Sequence, residues 1–313
     1  MIIVARTVRS LLAVLLLMAG TSAYSFAAPP RNFASPDAAA AALAAAAHAD
    51  DARALVAILG SGSHKIVYSG DRVADLNGRA QFAVAYDALH KIEPEGADRA
   101  TLVVGKDEWP FPIPLVRRGA TWHFDTKAGA QAILDRRIGR NELNAIQVCR
   151  AYVAAQRDYA TADRDNDSMR EYAQHFVSSP GKHDGLYWPT APSAPESPMG
   201  LLVADARAQG YGPTPKGEKP HRPQPYHGYF YRILTRQGPH APGGALDYVV
   251  DGHMIGGFAL VAYPAKWGDS GIMTLIVNQD GIVYQKNFGP RTATLARAIT
   301  EYDPDPSWTK QQP

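Results

Sequence analysis

One stretch in the middle of the chain, Asn141 to Ala160, constrains the fold more than any other. Ala145/Ile146, Val148/Cys149, Tyr152/Val153, Gln156 and Tyr159/Ala160 recur at spacings of three and four, while Gln147, Arg150, Arg157 and Asp158 fall opposite. Such a stripe is one face of an α-helix and has to be buried. Asn141 is placed to cap its N-terminus with a side-chain oxygen, and Glu142 in the first turn suits the helix dipole. The segment from Arg136 through this helix and on to about Tyr172 is expected to form the seam between two domains, 33–138 and 139–313.

The flanks differ in pattern. Arg6 and Arg9, the apolar run Leu11 to Met18 and the small-x-small site Ser25-Phe26-Ala27 read as an export signal cleaved before Ala28. The run falls short of the roughly 20 residues that span a bilayer, no cysteine marks a lipoprotein, and nothing later is apolar enough to cross a membrane. An uncleaved anchor is the alternative. Ser35-Pro36-Asp37 is a helix start, the alanine run to Ala47 is strongly helix-forming, and Gly60 stops a second helix over Leu55 to Leu59. Phe82, Tyr86 and Leu89 mark a third. Ala100 to Val104, Ile113 to Val116 and Thr121 to Phe124 read as strands, with Arg118-Gly119 at a hairpin turn. Helices followed by a meander make an α+β domain, the pattern of small cone-shaped domains of the nuclear-transport-factor-2-like (NTF2-like) kind.

After the helix, residues 179–225 are rich in proline and glycine, with a short helix near Leu201 to Ala208. Strand patterns then return at Tyr229 to Leu234, Leu246 to Val250, His253 to Ile255, Gly257 to Ala262, Met273 to Val277 and Ile282 to Gln285. Asp251-Gly252 and Asp280-Gly281 make the turns, and Leu295 to Ile299 closes the chain as a helix. The second domain is read as a long helix laid on an antiparallel sheet.

A net charge of +2 gives no concentrated basic face, which argues against a nucleic-acid partner. The single cysteine, Cys149, cannot close an internal disulfide and lies on the apolar stripe, where a thiol behaves as a small buried hydrophobe. A nucleophile or an intermolecular bridge are the other roles open to it.

Among candidate sites, Asp163-Arg164-Asp165-Asn166-Asp167 places carboxylates at alternate positions, as the first half of a calcium loop does. Ser168 stands where that loop wants glycine and Gln174 where it wants a closing glutamate, so Glu171 is the residue that substitutes. The metal reading is therefore calcium on Asp163, Asp165, Asp167 and Glu171, against a solvated acidic turn. Gly268-Asp269-Ser270-Gly271 matches the core of a chymotrypsin-like nucleophile motif, but the alanine-alanine-histidine-cysteine setting of the base is missing and Ile272 replaces the second glycine. A polar turn between strands is the alternative. His221, His227, His240 and His253 have no paired metal-ligand spacing. No dinucleotide fingerprint or phosphate-binding loop occurs, and no other cofactor is expected. Trp109-Pro110-Phe111-Pro112-Ile113-Pro114 is either an exposed proline-aromatic ligand or an edge strand packed on its own domain. Tyr187-Trp188, Tyr226, Tyr229, Phe230 and Tyr231 gather aromatics around the long loop, as a carbohydrate or peptide platform or as core and loop anchors.

Several segments resemble one family of exported bacterial proteins, domain of unknown function 2950 (DUF2950). They are Ala100 to Pro114, Arg136 to Leu143, Ala151 to Gln156 and Val277 to Lys286. The resemblance spans essentially the mature chain and implies a periplasmic protein of proteobacterial type; it brings no activity and no catalytic residues. Gly228 to Tyr231, Phe258 to Pro264 and Thr274 to Tyr284 also look like the sheet of a type II secretion pseudopilin head, some of which hold calcium. A whole domain here separates the apolar N-terminus from the long helix, so polymerisation into a pilus is not expected.

The chain is expected to be a non-enzymatic periplasmic accessory or binding protein of the cell envelope, its partner an envelope protein or a small ligand. An envelope hydrolase using Ser270 and a calcium-dependent structural module are the alternatives.

Overall fold

A computed structural model describes residues 28–191, 193–212 and 224–312. The segment read as an export signal, residues 1–27, and His221 lie outside the described residues.

The N-terminal half begins with helix α1, Pro36–His48. It starts as its sequence dictates: the Ser35 hydroxyl accepts the Ala38 N–H at 3.1 Å and Pro36 takes the first helical position. Helices α2 (Ala52–Leu59), α3 (His64–Val67) and α4 (Arg72–Ala88) follow, and Gly60, at φ +81°, ends α2. Strands β1 (His90–Pro94), β2 (Arg99–Val104), β3 (Trp109–Pro110), β4 (Leu115–Arg118) and β5 (Thr121–Phe124) form one antiparallel sheet. Its order is β1-β2-β4-β5, with β3 on the edge of β2. The Trp-Pro-Phe-Pro segment thus packs on its own domain: the Phe111 N–H donates to Leu102, and its ring lies 5.5 Å from Phe82 and 6.0 Å from Phe124. Leu43, Ile58, Leu102, Ile113 and Phe124 centre this core.

Helix α5 is longer than the stripe suggests. It runs from Thr126 to Tyr159, 34 residues and roughly 50 Å at about 1.5 Å per residue. Its cap is Asp125, which accepts the Ala128 N–H, and not Asn141, which lies buried in mid-helix. Glu142 is likewise no first-turn residue; its carboxylate accepts the N–H groups of Ile272 and Met273 at 2.8 and 3.0 Å. Gly129 and Gly139 dilute the helical signal upstream. Gly129 has a packing reason, because a Cβ there would stand 2.2 Å from the Pro112 carbonyl oxygen. The helix also stops at Tyr159, short of Tyr172, where Arg164 folds back to donate to the Asp158 and Tyr159 carbonyls.

Past α5 come the parallel pair β6 (His175–Val177) and β7 (Gly185–Tyr187), and helix α6 (Gly200–Ala208). Then come strands β8 (Tyr229–Leu234), β9 (Arg236–Gln237), β10 (Leu246–Asp247), β11 (Val249–Val250), β12 (His253–Met254), β13 (Ala259–Pro264), β14 (Thr274–Asn278) and β15 (Tyr284–Lys286), helix α7 (Thr292–Ala298) and strand β16 (Thr309–Lys310). The main sheet is antiparallel, in the order β16-β15-β14-β13-β8. Ala259 to Ala262 are all fully buried, so β13 is covered on both faces, and α5 and α7 both pack on it. Gln156 is the polar staple of this core: its amide donates to Ala173 O and accepts from Ala173 N, both at 2.8 Å. The chain is therefore α+β. Its buried side chains fall into two clusters, one drawn from residues 33–124 and one from 145–302, with α5 running past both.

Candidate functional site

Between the halves lies a cleft of about 740 Å³. Its floor belongs to the N-terminal core: Leu55, Leu59, Val67, Phe82 and Phe111. Helix α4 supplies one wall with Asp75, Asn77, Gly78 and Arg79, and α5 supplies another with Arg136, Arg137, Arg140, Asn141 and Asn144. Tyr211 and His227 close it from the C-terminal half.

Asp71 ties these walls together. It caps α4 by accepting the Ala74 N–H at 3.1 Å, as aspartate at that position is suited to do. Its other oxygen accepts the Tyr211 hydroxyl and the Gly228 N–H, both at 2.8 Å, and the side chain is almost wholly buried. A buried carboxylate is tolerated when its lone pairs are occupied in this way. Further contacts run beside it. Asn77 donates to the Gln209 carbonyl at 2.8 Å and Asn141 to that of Ser270 at 2.9 Å. Arg137 donates to the Lys65 and Ile66 carbonyls, and the Lys65 ammonium stands 3.6 Å from the buried Asp269 carboxylate, which also pairs with Lys266.

Burial raises the Asp75 carboxyl above its ordinary value, against the Ser69 N–H that it accepts at 3.0 Å. Burial lowers His227, with Asp71 and Asp205 opposing. His227 has φ +50° and a ring packed 4.1 Å from that of Tyr226, a left-handed backbone uncommon outside glycine. Gly228 follows at φ +74°, where a Cβ would meet the Asn141 amide at 2.5 Å. Gly78 is different: a Cβ there would meet nothing within 4 Å, so its missing side chain leaves the cleft wall open.

Of the candidate residues read from sequence, His227, Trp109 and Phe111 line the cleft, and the calcium and Ser270 candidates lie elsewhere. Asp163, Asp165 and Asp167 bring ligand atoms within 4.8 Å of one another, and Asp167, Glu171 and His253 form a second such group, so the four acids make two overlapping sets. The loop meets its own needs. Asp163 accepts the N–H groups of Asn166, Asp167 and Ser168, Glu171 accepts the Met254 N–H at 2.9 Å, and His253 Nδ1 faces Asp167 at 3.1 Å. Ser168 takes φ +74° in the glycine position. Ser270 is fully buried, and its hydroxyl donates to the Lys266 carbonyl at 3.2 Å and accepts the Lys266 N–H at 2.9 Å, the bonds of a turn. Burial pushes the Cys149 thiol up to about 12, which keeps it protonated. His240 pairs with Asp303, away from His227 and His253.

The cleft has no counterpart among the sites read from sequence. Its floor is visible there only as core, and its walls come from segments far apart in the chain. The traces it leaves are the arginines at 136, 137 and 140, a helical glycine at 78, and Trp109, Phe111 and His227, which the sequence singles out for other reasons.

No curated protein and no solved structure matches the chain. A family model described as "Protein of unknown function (DUF2950)" matches residues 30–311.

Proposed function

The chain belongs to the DUF2950 family, which carries no assigned activity, and we propose its function from its own geometry: a non-enzymatic binding module of the cell envelope that holds a small molecule between its halves. The observation that carries this reading is the cleft. Its volume of about 740 Å³ is that of a small-molecule site, commonly ~300–1,000 Å³, and its apolar floor with a few converging polar groups is the usual make-up of one. The α4 wall is left open at Gly78, a mid-helix glycine without a packing reason.

Native mass spectrometry of the mature protein, released gently from the periplasm, tests it. The expected result is a non-covalent mass increment that disappears in Gly78→Leu. A bare protein mass, together with no thermal shift across a panel of amphiphiles, sinks the reading. Export belongs to the same proposal, and a periplasmic protein whose N-terminus is Ala28 supports it.

Calcium at Asp163, Asp165, Asp167 and Glu171 is the second reading, supported by the close grouping of their oxygens and by the left-handed Ser168. A melting temperature that neither calcium nor a chelator moves removes it. The pseudopilin likeness draws support from the helix-on-meander architecture of the C-terminal half, and no assembly role is proposed from it.

A further inference from the structure

We infer that the ligand of the cleft is a single-chain amphipathic anion, with its acyl body on the apolar floor and its carboxylate or phosphate between Arg136 and Arg140. This rests on the cleft being the binding site. The charges of the walls carry the inference. Arg79 is answered by Asp50 at 2.5 Å. Arg137 is committed to the Lys65 and Ile66 carbonyls, with the Asp75 and Asp269 charges beside it. Arg136 and Arg140 remain, exposed and one turn apart on the same face of α5. Among the described residues neither has an acidic group at ion-pair distance, and Asp107 is the other acid on the cleft lining besides Asp75. The Arg136 guanidinium lies 5.6 Å from the centre of the Trp109 ring, which holds it at the rim.

Two guanidinium groups above an apolar floor select by charge and by shape. The planar fork matches a carboxylate or phosphate, and such charge-assisted bonds are roughly twice as strong as neutral ones. A cationic head would meet like charge, and a neutral head would gain only its apolar burial. Burial of His227, with Arg140 nearby, favours its neutral imidazole, so it adds a hydrogen-bonding group to the lining rather than a third cation.

Calorimetric titration of the mature chain tests this, with dodecanoate and dodecyl phosphate against dodecyl maltoside and dodecyltrimethylammonium, all below their micelle concentrations. Both anions are expected to bind at least about tenfold more tightly than the neutral and cationic probes, with inorganic phosphate alone giving no heat. The double variant Arg136→Gln, Arg140→Gln should weaken the anions about tenfold and leave the maltoside unchanged. Gly78→Leu should abolish binding of every probe. Trp109 fluorescence, compared with Trp109→Phe, reports occupancy if the leucine variant does not fold. Maltoside or ammonium binding as tightly as the anions, and lost in Gly78→Leu, overturns the anion assignment and leaves the cleft reading standing. No heat and no Trp109 response with any amphiphile overturns both. The stronger of the two anions identifies the headgroup.

Discussion

Two stretches of helix α5, its middle and its C-terminal half, do different work with the same backbone. From Ala145 to Tyr159 its inward face is fully packed, with Tyr152 wholly buried, donating to Ala259 O at 3.2 Å and meeting the Phe258 ring edge-on at 5.6 Å. From Arg136 to Asn144 it faces a cleft with long cationic side chains and two asparagines. Close packing of the C-terminal half makes the helix rigid, and that rigidity is what positions the cleft-facing middle. Stability and recognition are therefore separable along one helix, and substitutions in the two stretches should differ in size and kind.

The largest effect belongs to the packed stretch. Tyr152→Ala removes a fully buried ring and a hydrogen bond, and should cost about 3–5 kcal/mol in chemical denaturation. Arg140→Ala, about three turns earlier on the exposed, cleft-facing stretch, should change stability by less than about 0.5 kcal/mol. Equal losses at the two positions would break the contrast.

Next comes the contact that joins the halves across the cleft. Asp71→Ala strips acceptors from the Tyr211 hydroxyl, the Gly228 N–H and the α4 N-terminus, at an expected cost of about 2–3 kcal/mol. The sharper readout is hydrogen exchange. The Gly228 amide should lose protection while the β13–β14 amides keep theirs, because the loss is local to the cleft. Uniform loss of protection would mean that the two cores fold as one unit.

The same division explains how much of the molecule is legible in its sequence. A stripe such as Ala145 to Tyr159 encodes its own burial, since periodicity and packing agree there. The Ser35 cap, the Thr121 to Phe124 strand and the Asp251-Gly252 turn, at φ +52° and +92°, are legible for the same reason: each is set by local chemistry. Asn141 misleads because asparagine is a good cap anywhere, and its burial against Ser270 is a tertiary fact with no local trace. The cleft is illegible as a whole. Asp71 caps a helix in the ordinary way, and nothing near it in sequence announces Tyr211, a partner 140 residues on.

A smaller effect of opposite sign is expected at Gly78. Its backbone is helical and its surroundings are open, so Gly78→Ala should stabilise α4 by about 0.5–1 kcal/mol through the lost freedom of the unfolded chain. A methyl group there should barely touch a bound ligand, whereas leucine fills the space. Comparing the two separates glycine kept for room from glycine without consequence. If Ala and Leu bind equally well, the opening at Gly78 has no part in recognition.

The smallest effect is a pH dependence seated in the cleft. Burial lowers His227 below its ordinary value of 6.5. The unfolded chain therefore binds the proton first as pH falls, and stability should drop from about pH 6.5 down to the folded value, then level off. His240 works the other way. Asp303 holds it up at 2.8 Å, so its contribution is complete below about 6.5 and fades as pH rises through its folded value. His123, lowered by burial in the N-terminal sheet, adds to the acid-side loss but is common to both proteins when His227→Gln is compared with the parent. The stability difference between the two should widen in the variant's favour on going from pH 7.5 to 5.5. A difference that stays flat would mean that water reaches the imidazole freely, and that Tyr211 alone closes that wall of the cleft.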